Sequence, residues 1–344
     1  MTISMRHQSI AVIGAGLAGT MLTARLLEVG CQVTVYEKSR GTGGRQASSG
    51  LAEATLDLGA PWFEPVSDRF RSWLEQRPEI QRFSPSHRDF TGLELDPISV
   101  YLAAPKQTTL TRNLLGCAEF CSSTRVSKLH PGPEGVAVES DTGQLLNTHQ
   151  AVIITTPAPQ AEPLLTALPR FAEVARSAES QPAWVVALGL RQKTGTSIDL
   201  FSGRHPLLAR AIRDSGKPGR NAGHFAETWL LEANQQWSDV HKASTPKQVG
   251  AMLIQAFQSI VGQPLEIAAL RTHRWLYARH GSADCAEYLW CPKNRIGICS
   301  DWLAETGSEG AWLSANHLAD KLLTSLKALS SNSSINLEAY RDDP

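Results

Sequence analysis

Three glycines constrain the start of this chain more than any other feature. An apolar β-type run, SIAVIG, leads from Ser9 into Gly14, Gly16 and Gly19. An amphipathic stretch, MLTARLLEV, follows up to Gly30, and a second apolar run, CQVTVYE, ends at Glu37. Strand, glycine turn, helix and strand within about 30 residues make a βαβ unit. The first glycine permits a tight turn, the second lets backbone approach a pyrophosphate, and the third lets helix pack on strand. The turn Gly14-Ala15-Gly16-Leu17-Ala18-Gly19 would aim free N–H groups and the positive end of a helix dipole at phosphate. Glu37 can accept from ribose hydroxyls and would repel a 2′-phosphate, which argues against bound NADP. The bland alternative is a glycine-rich turn in an ordinary α/β unit. The strand context and the terminal acid favour a dinucleotide site.

The next stretch, KSRGTGGRQA, carries Lys38, Arg40 and Arg45 among three glycines. Such a bare loop is costly in chain entropy. Gly43 and Gly44 can bring backbone against the same dinucleotide from the other side. Arg45 can pair with its pyrophosphate, and Arg40 can add a second charge or stack on the adenine. In isolation the loop reads as a solvated basic segment; its place directly after Glu37 favours the ligand.

Together, Gly14 to Gly19, Glu37 and Arg40-Gly-Thr-Gly-Gly-Arg45 resemble the N-terminal fingerprint of the FAD-dependent amine oxidase and phytoene desaturase superfamily. The resemblance implies an α/β fold: a discontinuous Rossmann-type FAD-binding domain with an inserted α+β substrate domain. It implies FAD as cofactor. In TLDLGAPWF, Gly59 and Ala60 would lie on the flavin edge, with Trp62 and Phe63 facing substrate; a buried aromatic pair is the equal alternative. A residue near Val126 would cover the adenine, and the run AVIITTP would end beside the cofactor at Thr156. Near the C-terminus, RIGICSDWLAETGSEGAWLSANHLADKLLTSL resembles the segment that closes over FAD. A short strand would end near Cys299, and Asp301 would bind a ribityl or phosphate-proximal hydroxyl. A helix starting near Glu309, Gly310 and Ala311 would point its N-terminus at the flavin pyrimidine. Ser300 departs from the glycine usual before that aspartate.

Further segments resemble the renalase group, especially its bacterial members: DSGKPGR, TWLLEANQQWSDVH, THRWLYARHG, YLAAPKQTTLTRNLL and TTPAPQAEPLL. The likeness runs from about Ser9 to about Leu323, with Pro105-Lys106 standing where Pro-Gly is usual. It implies an oxidase of the 2- and 6-dihydro isomers of NAD(P)H. Hydride would pass to flavin N5 and the electrons to oxygen, giving NAD(P)+ and hydrogen peroxide. Nine tryptophans are present. Trp62, Trp184, Trp229, Trp275, Trp302 and Tyr277 fall in segments that could line a substrate site, although most tryptophans are core residues. His273, Arg274, Arg279 and His280 could contact a dinucleotide substrate or form a solvated set; His224 reads as structural. The implied layout is a FAD domain over 1–75, 105–160 and 270–330, a substrate domain over 76–104 and 161–269, and a polar tail over 331–344.

Composition removes several classes. Lysine plus arginine equals aspartate plus glutamate at 33 each, so no overall field draws the chain to nucleic acid. Six cysteines match no zinc or C-x-x-C spacing and read as reduced thiols, which suits a cytoplasmic protein. The apolar run behind Arg6 and His7 could pass for a signal peptide, but its glycine spacing and Arg25 argue against that and against a membrane span. No motif such as G-x-S-x-G or H-E-x-x-H is present. Two alternatives to the renalase-like reading stay open. One is an amine oxidase or desaturase of the same superfamily, though no lysine sits in a matching segment and 344 residues leave little room for a desaturase substrate domain. The other is a flavin-binding redox sensor without turnover. Oligomeric state is not legible.

Overall fold

The structure is a computed structural model and describes residues 8–281, 286–304 and 307–338. Arg6, His7, Cys285 and the last six residues of the tail lie outside the described residues. The chain forms two compact units. The first holds residues 1–44, 111–179 and 281–344; the second holds 45–110 and 180–280.

The first unit has the expected α/β design. Strand β1 (Ser9–Ile13) is parallel to β2 (Gln32–Tyr36) on one side and to Ala151–Ile154 on the other. Between β1 and β2 runs helix α1 (Leu17–Glu28). Outward from Ala151–Ile154 come Ile296–Ile298 and Leu289–Cys291; outward from β2 comes Glu119–Cys121. Ile10, Ala11, Val12 and Ile13 are all buried, as a central parallel strand covered on both faces must be. The apolar run that resembled a signal peptide is therefore a strand and a helix of the core.

A three-stranded antiparallel sheet, Val126–Gly132, Gly135–Ser140 and Leu145–His149, hangs from this unit. Pro131-Gly132 ends its first strand, and Asp141-Thr142-Gly143 lies between the second and third strands. His149 ties this sheet to the parallel one. Its Nδ1 pairs with Ser9 Oγ at 2.8 Å and its Nε2 with the Tyr36 hydroxyl at 3.0 Å. Burial holds His149 below the ordinary histidine range, partly opposed by Glu119. The neutral ring stabilises the fold above its ordinary pKa of 6.5, and that contribution is lost as pH falls towards the lower folded value. Thermal midpoints of the wild type should therefore drop below about pH 6 more steeply than those of His149→Gln.

The second unit is built on a six-stranded sheet in the order Ile267–His280, Ser180–Leu190, Glu227–Ala233, Leu208–Arg213, Leu200–Ser202 and His87–Asp89. Residues 270–280 belong here, in its long edge strand. Helix Pro246–Val261 covers one face. Its start is the one legible in TPKQ: Thr245 Oγ1 accepts from Gln248 N, and the Gln248 side chain accepts from Thr245 N. Val249, Leu253 and Phe257 on that helix pack on Trp184, Val186, Leu188, Trp229 and Leu231. The opposite face carries Val185, Ala187, Leu230 and Ile212 against Leu51, Leu56, Leu58 and Trp62. The period of two divides neighbouring residues between these two cores.

The C-terminal helix runs Gly307–Glu338, starting a little before the expected position and carrying helical backbone through much of the expected tail. Among the described residues no helix is long and apolar enough to cross a membrane. Among the described residues no disulfide joins Cys31, Cys117, Cys121, Cys291 and Cys299 to one another, and no cluster of metal-ligating side chains occurs.

Candidate functional site

The glycine turn has the geometry its spacing foretold. Gly14 sits at φ +108°, closed by a hydrogen bond from its N–H to Tyr36 O at 2.9 Å. A side chain at Gly19 would put Cβ 2.0 Å from Gly14 O, so glycine is needed for helix to meet turn. Gly16 is the N-cap of α1, and no side chain caps it. A Cβ there would meet nothing within 4 Å. The helix therefore opens on free space, as a phosphate cradle requires. Gly43, at φ +114°, donates to Ala15 O at 2.8 Å, so the second glycine loop is hydrogen-bonded to the first. Gly44 lies close by: a Cβ on it would come within 3.2 Å of Gly16 Cα.

Glu37 does more than close β2. Its Oε2 accepts from Ala15 N at 2.8 Å and its Oε1 from Ser39 N at 2.7 Å. The carboxylate is buried and fixed by two backbone donors, with lone pairs left on each oxygen. Ser123 N and Thr124 N donate to Ser39 O and Glu37 O, which brings the approach to Val126 alongside. Val126 is buried at the start of its strand. Lys38 Nζ donates to Gln160 Oε1 at 3.1 Å, and Arg40 is exposed.

Two threonines follow the strand Ala151–Ile154. Thr155 Oγ1 donates towards Ile13 O and Gly14 O, at 3.0 and 3.1 Å, and clamps the turn. Sequence reasoning missed it and named its neighbour. Thr156 Oγ1 is buried and has no partner, with its methyl carbon 3.4 Å from where a Gly14 Cβ would stand. A buried hydroxyl without a partner is costly, so this atom calls for a ligand. Open space before Gly16 and an orphaned hydroxyl beside Gly14 both fit a bound dinucleotide.

On the C-terminal segment, Asp301 is buried and accepts from Ser300 Oγ at 3.2 Å. Ser300 N donates to Ser314 Oγ at 2.9 Å, so serine is accommodated where glycine was expected. Gly310 and Ala311 are buried in the first turns of the final helix. Trp302 is fully buried and its Nε1 donates to Thr156 O at 3.0 Å. It is a core residue of the first unit and not an exposed substrate contact.

In the second unit the aromatic candidates separate. Trp62 and Trp275 share one face of the sheet. Trp62 Nε1 donates to Glu64 at 2.6 Å, and Trp275 Nε1 to Leu58 O at 2.9 Å. Phe63 is buried edge-on to Phe70, and its backbone pairs with Tyr101. His273 stands edge-on to Trp275 at 4.6 Å; burial, and then Arg271, keep its imidazole below the ordinary range. Tyr277 follows Trp275 by two positions and is half-buried. Trp229 and Trp184 belong to the other face, under the helix. Trp229 therefore cannot join Trp62 and Trp275 around one ligand. Arg279 donates to Gln235, Arg274 lies over Trp184, His280 is buried against Ser180, and His224 pairs with Glu53 at the surface. Gly59 packs against backbone: a Cβ would stand 1.8 Å from Arg45 O, which also accepts from Ala60 N at 2.7 Å. Arg45 itself is half-buried in the short turn Gly44–Gln46.

The second unit also buries a charge cluster that no local motif marks. Asp57 Oδ2 accepts from Arg220 at 2.5 Å and from Lys217 at 3.3 Å; its Oδ1 accepts from Ser48 Oγ and Gln107 N. Lys217 also donates to Asp214 Oδ1 at 2.6 Å.

Residues 12–76 match the family described as a NAD(P)-binding Rossmann-like domain. The fold and its glycine turn thus belong to an α/β protein with a Rossmann-like nucleotide-binding domain. Among curated relatives, a 4,4'-diapophytoene desaturase of Staphylococcus haemolyticus is 34% identical over 79 residues, 20% of this chain and 16% of that protein. A flavin-containing monooxygenase of Aspergillus flavus is 34% identical over 88 residues, 24% of this chain and 20% of that protein. The match spans a fifth or less of either relative. Solved structures align along nearly the whole chain. An oxidoreductase from Methanosarcina mazei gives a TM-score of 0.67 at 11% identity, covering 91% of this chain and 100% of that one. A putrescine oxidase double mutant gives 0.69 at 10% identity, covering 93% and 99%. At such identities the likeness is one of fold. The 34% matches cover a quarter of the chain or less and the structural ones show the fold alone; the fingerprint from Gly14 to Arg45 resembles that of the FAD-dependent amine oxidase and phytoene desaturase superfamily.

Proposed function

We propose that this chain is an FAD-dependent oxidase of that superfamily, acting in the manner of the renalase group on the 2- and 6-dihydro isomers of NAD(P)H. The observation that carries the cofactor is the turn at Gly14–Gly19: a helix start with open space at Gly16, a tethered Glu37 and the unpartnered Thr156 hydroxyl. Bound FAD would supply the two-electron chemistry, accepting hydride from the substrate and returning the electrons to oxygen as hydrogen peroxide. The chain's task is binding and orientation. The backbone around Gly16 and Gly43, with Arg45, would hold the diphosphate, Glu37 would accept from the ribose, and Asp301 would hold a further hydroxyl. Hydride transfer needs alignment and exclusion of water more than an acid or base. The paired aromatics Trp62 and Trp275, with His273 and Tyr277 beside the latter, are the surface offered to a flat ring.

The substrate is tested by mixing the yellow protein anaerobically with 6-dihydro-NAD, with ordinary 4-dihydro-NADH and with a panel of amines. Bleaching by the 6-dihydro isomer alone is the expected result. Bleaching by amines would move the chain to the amine oxidases, and no bleaching at all would leave a flavin-binding sensor. Arg45→Ala should lower the flavin-to-protein ratio of the purified protein; full retention would remove Arg45 from the diphosphate site.

A further inference from the structure

The cluster around Asp57 is built unevenly. Two carboxylates and two cations are buried together: Asp57, Asp214, Lys217 and Arg220 all have side chains at most 1% exposed. Asp57 takes nearly all the donors. Both cations, the Ser48 hydroxyl and the Gln107 N–H converge on it. Asp214 receives one side-chain hydrogen bond, from Lys217 to Oδ1, while its Oδ2 is buried with no partner. An ionised carboxylate left with a buried oxygen that no protein donor reaches is strongly disfavoured. Arg220 does not compensate, because its other donors go to Ala103 O and Pro218 O. Nor does the packed strand Glu227–Ala233: Ser215 Oγ accepts from Thr228 N, and Glu227 is engaged by Thr194 and Trp229. The neighbouring Arg213 is bonded to Asp199. The Lys217 ammonium, fixed between the two carboxyl groups, lies 5.7 Å from the centre of the Trp62 ring, within cation–π range. Arg210 stands at the same distance but is held by Glu232 and is partly exposed.

We propose that Lys217 is a positioning residue for Trp62, and that Asp214 serves it as a neutral carboxylic acid while Asp57 alone is its counter-ion. The cluster then carries one net positive charge, and that charge is set against the indole. The direction of both titrations agrees. Burial raises the Asp57 carboxyl, but Lys217 and Arg220 outweigh it and hold it below the ordinary range. Burial raises Asp214, and the nearby Asp57 charge adds to this against the pull of Lys217. The inference rests on the proposed function only for the contact of Trp62 with substrate; the placement of the ring is separate.

The test reads Trp62 directly, in the full chain as purified, as the difference in fluorescence between the wild type and Trp62→Phe. Lys217→Met should shift the Trp62 component, and Lys217→Arg should restore it. An unshifted component in Lys217→Met, or an Arg variant that behaves like Met, overturns the proposal. Stability supplies a second reading if Lys217→Met does not fold. Asp214→Asn, a neutral replacement, should keep the Trp62 component and a thermal midpoint within about 2 °C, whereas Asp57→Asn should lose roughly 10 °C. Equal losses in the two variants would show Asp214 to be an ionised partner and sink the idea. A colourless protein would remove the flavin reading and leave these outcomes intact.

Discussion

Gly19→Ala should cost the protein stability, and Gly16→Ala should cost it chiefly its cofactor. The two positions are three residues apart on one turn and differ in what surrounds them. At Gly19 the added carbon would stand 2.0 Å from Gly14 O and 2.7 Å from Thr155 Oγ1. The first of these is backbone, pinned through the Gly14 N–H to β2, so it cannot yield. Helix α1 must then lift off the strand, at a cost of about 3 kcal/mol or more. For a chain of this size that lowers the thermal midpoint by several degrees, roughly 6–12 °C. At Gly16 the backbone has φ −77° and ψ −175°, open to any residue, and nothing stands within 4 Å. Alanine there should lower the midpoint by only about 2–3 °C, the cost of a poorer N-cap residue. It would fill the space proposed for the diphosphate, so the purified variant should carry a much lower flavin-to-protein ratio. The comparison needs only a melting curve and an absorbance spectrum. Retained flavin in Gly16→Ala would move the cofactor away from this helix start.

The second large effect belongs to Trp229. Its ring is fully buried, stacked on Phe201 at 6.3 Å and tilted on Phe257 at 4.8 Å, with Nε1 donating to Glu227 at 2.9 Å. Trp229→Ala should destabilise by about 3–5 kcal/mol, from the lost packing, the residual cavity and a buried carboxylate short of one donor. Trp229→Phe should retain part of the packing, lower the midpoint less and leave KM for the proposed dihydronicotinamide substrate unchanged. Trp275, half-buried on the opposite face, should behave in reverse: Trp275→Phe should raise KM with a smaller change in midpoint. A raised KM in Trp229→Phe at unchanged stability would contradict the assignment of Trp229 to the core.

The sequence was most informative where the turn requires glycine. Gly14, Gly16, Gly19 and Glu37 were readable because each meets a local demand of turn, helix start or strand end. The helix at Thr245-Pro246 was readable because its capping box is local as well. The aromatics were legible only as a set. Trp184, Trp229 and Trp275 all fall in strands, and nothing local says which face of the sheet meets the helix and which meets the hairpin of residues 48–57. The pairing of strand Ser180–Leu190 with Glu227–Ala233 decides that, and it sends Trp229 and Leu230 to different cores.

By itself, then, the sequence determined the βαβ start and the geometry of its turn, since those depend on residues within one short stretch and on the absence of a Cβ. Only the tertiary structure decided the role of DSGKPGR. Lys217 has Asp214 only three positions away, but Asp57 lies 160 positions from it and no local pattern pairs those two. Their meeting depends on burial, because a charge taken out of water must find its opposite wherever the fold brings one within reach.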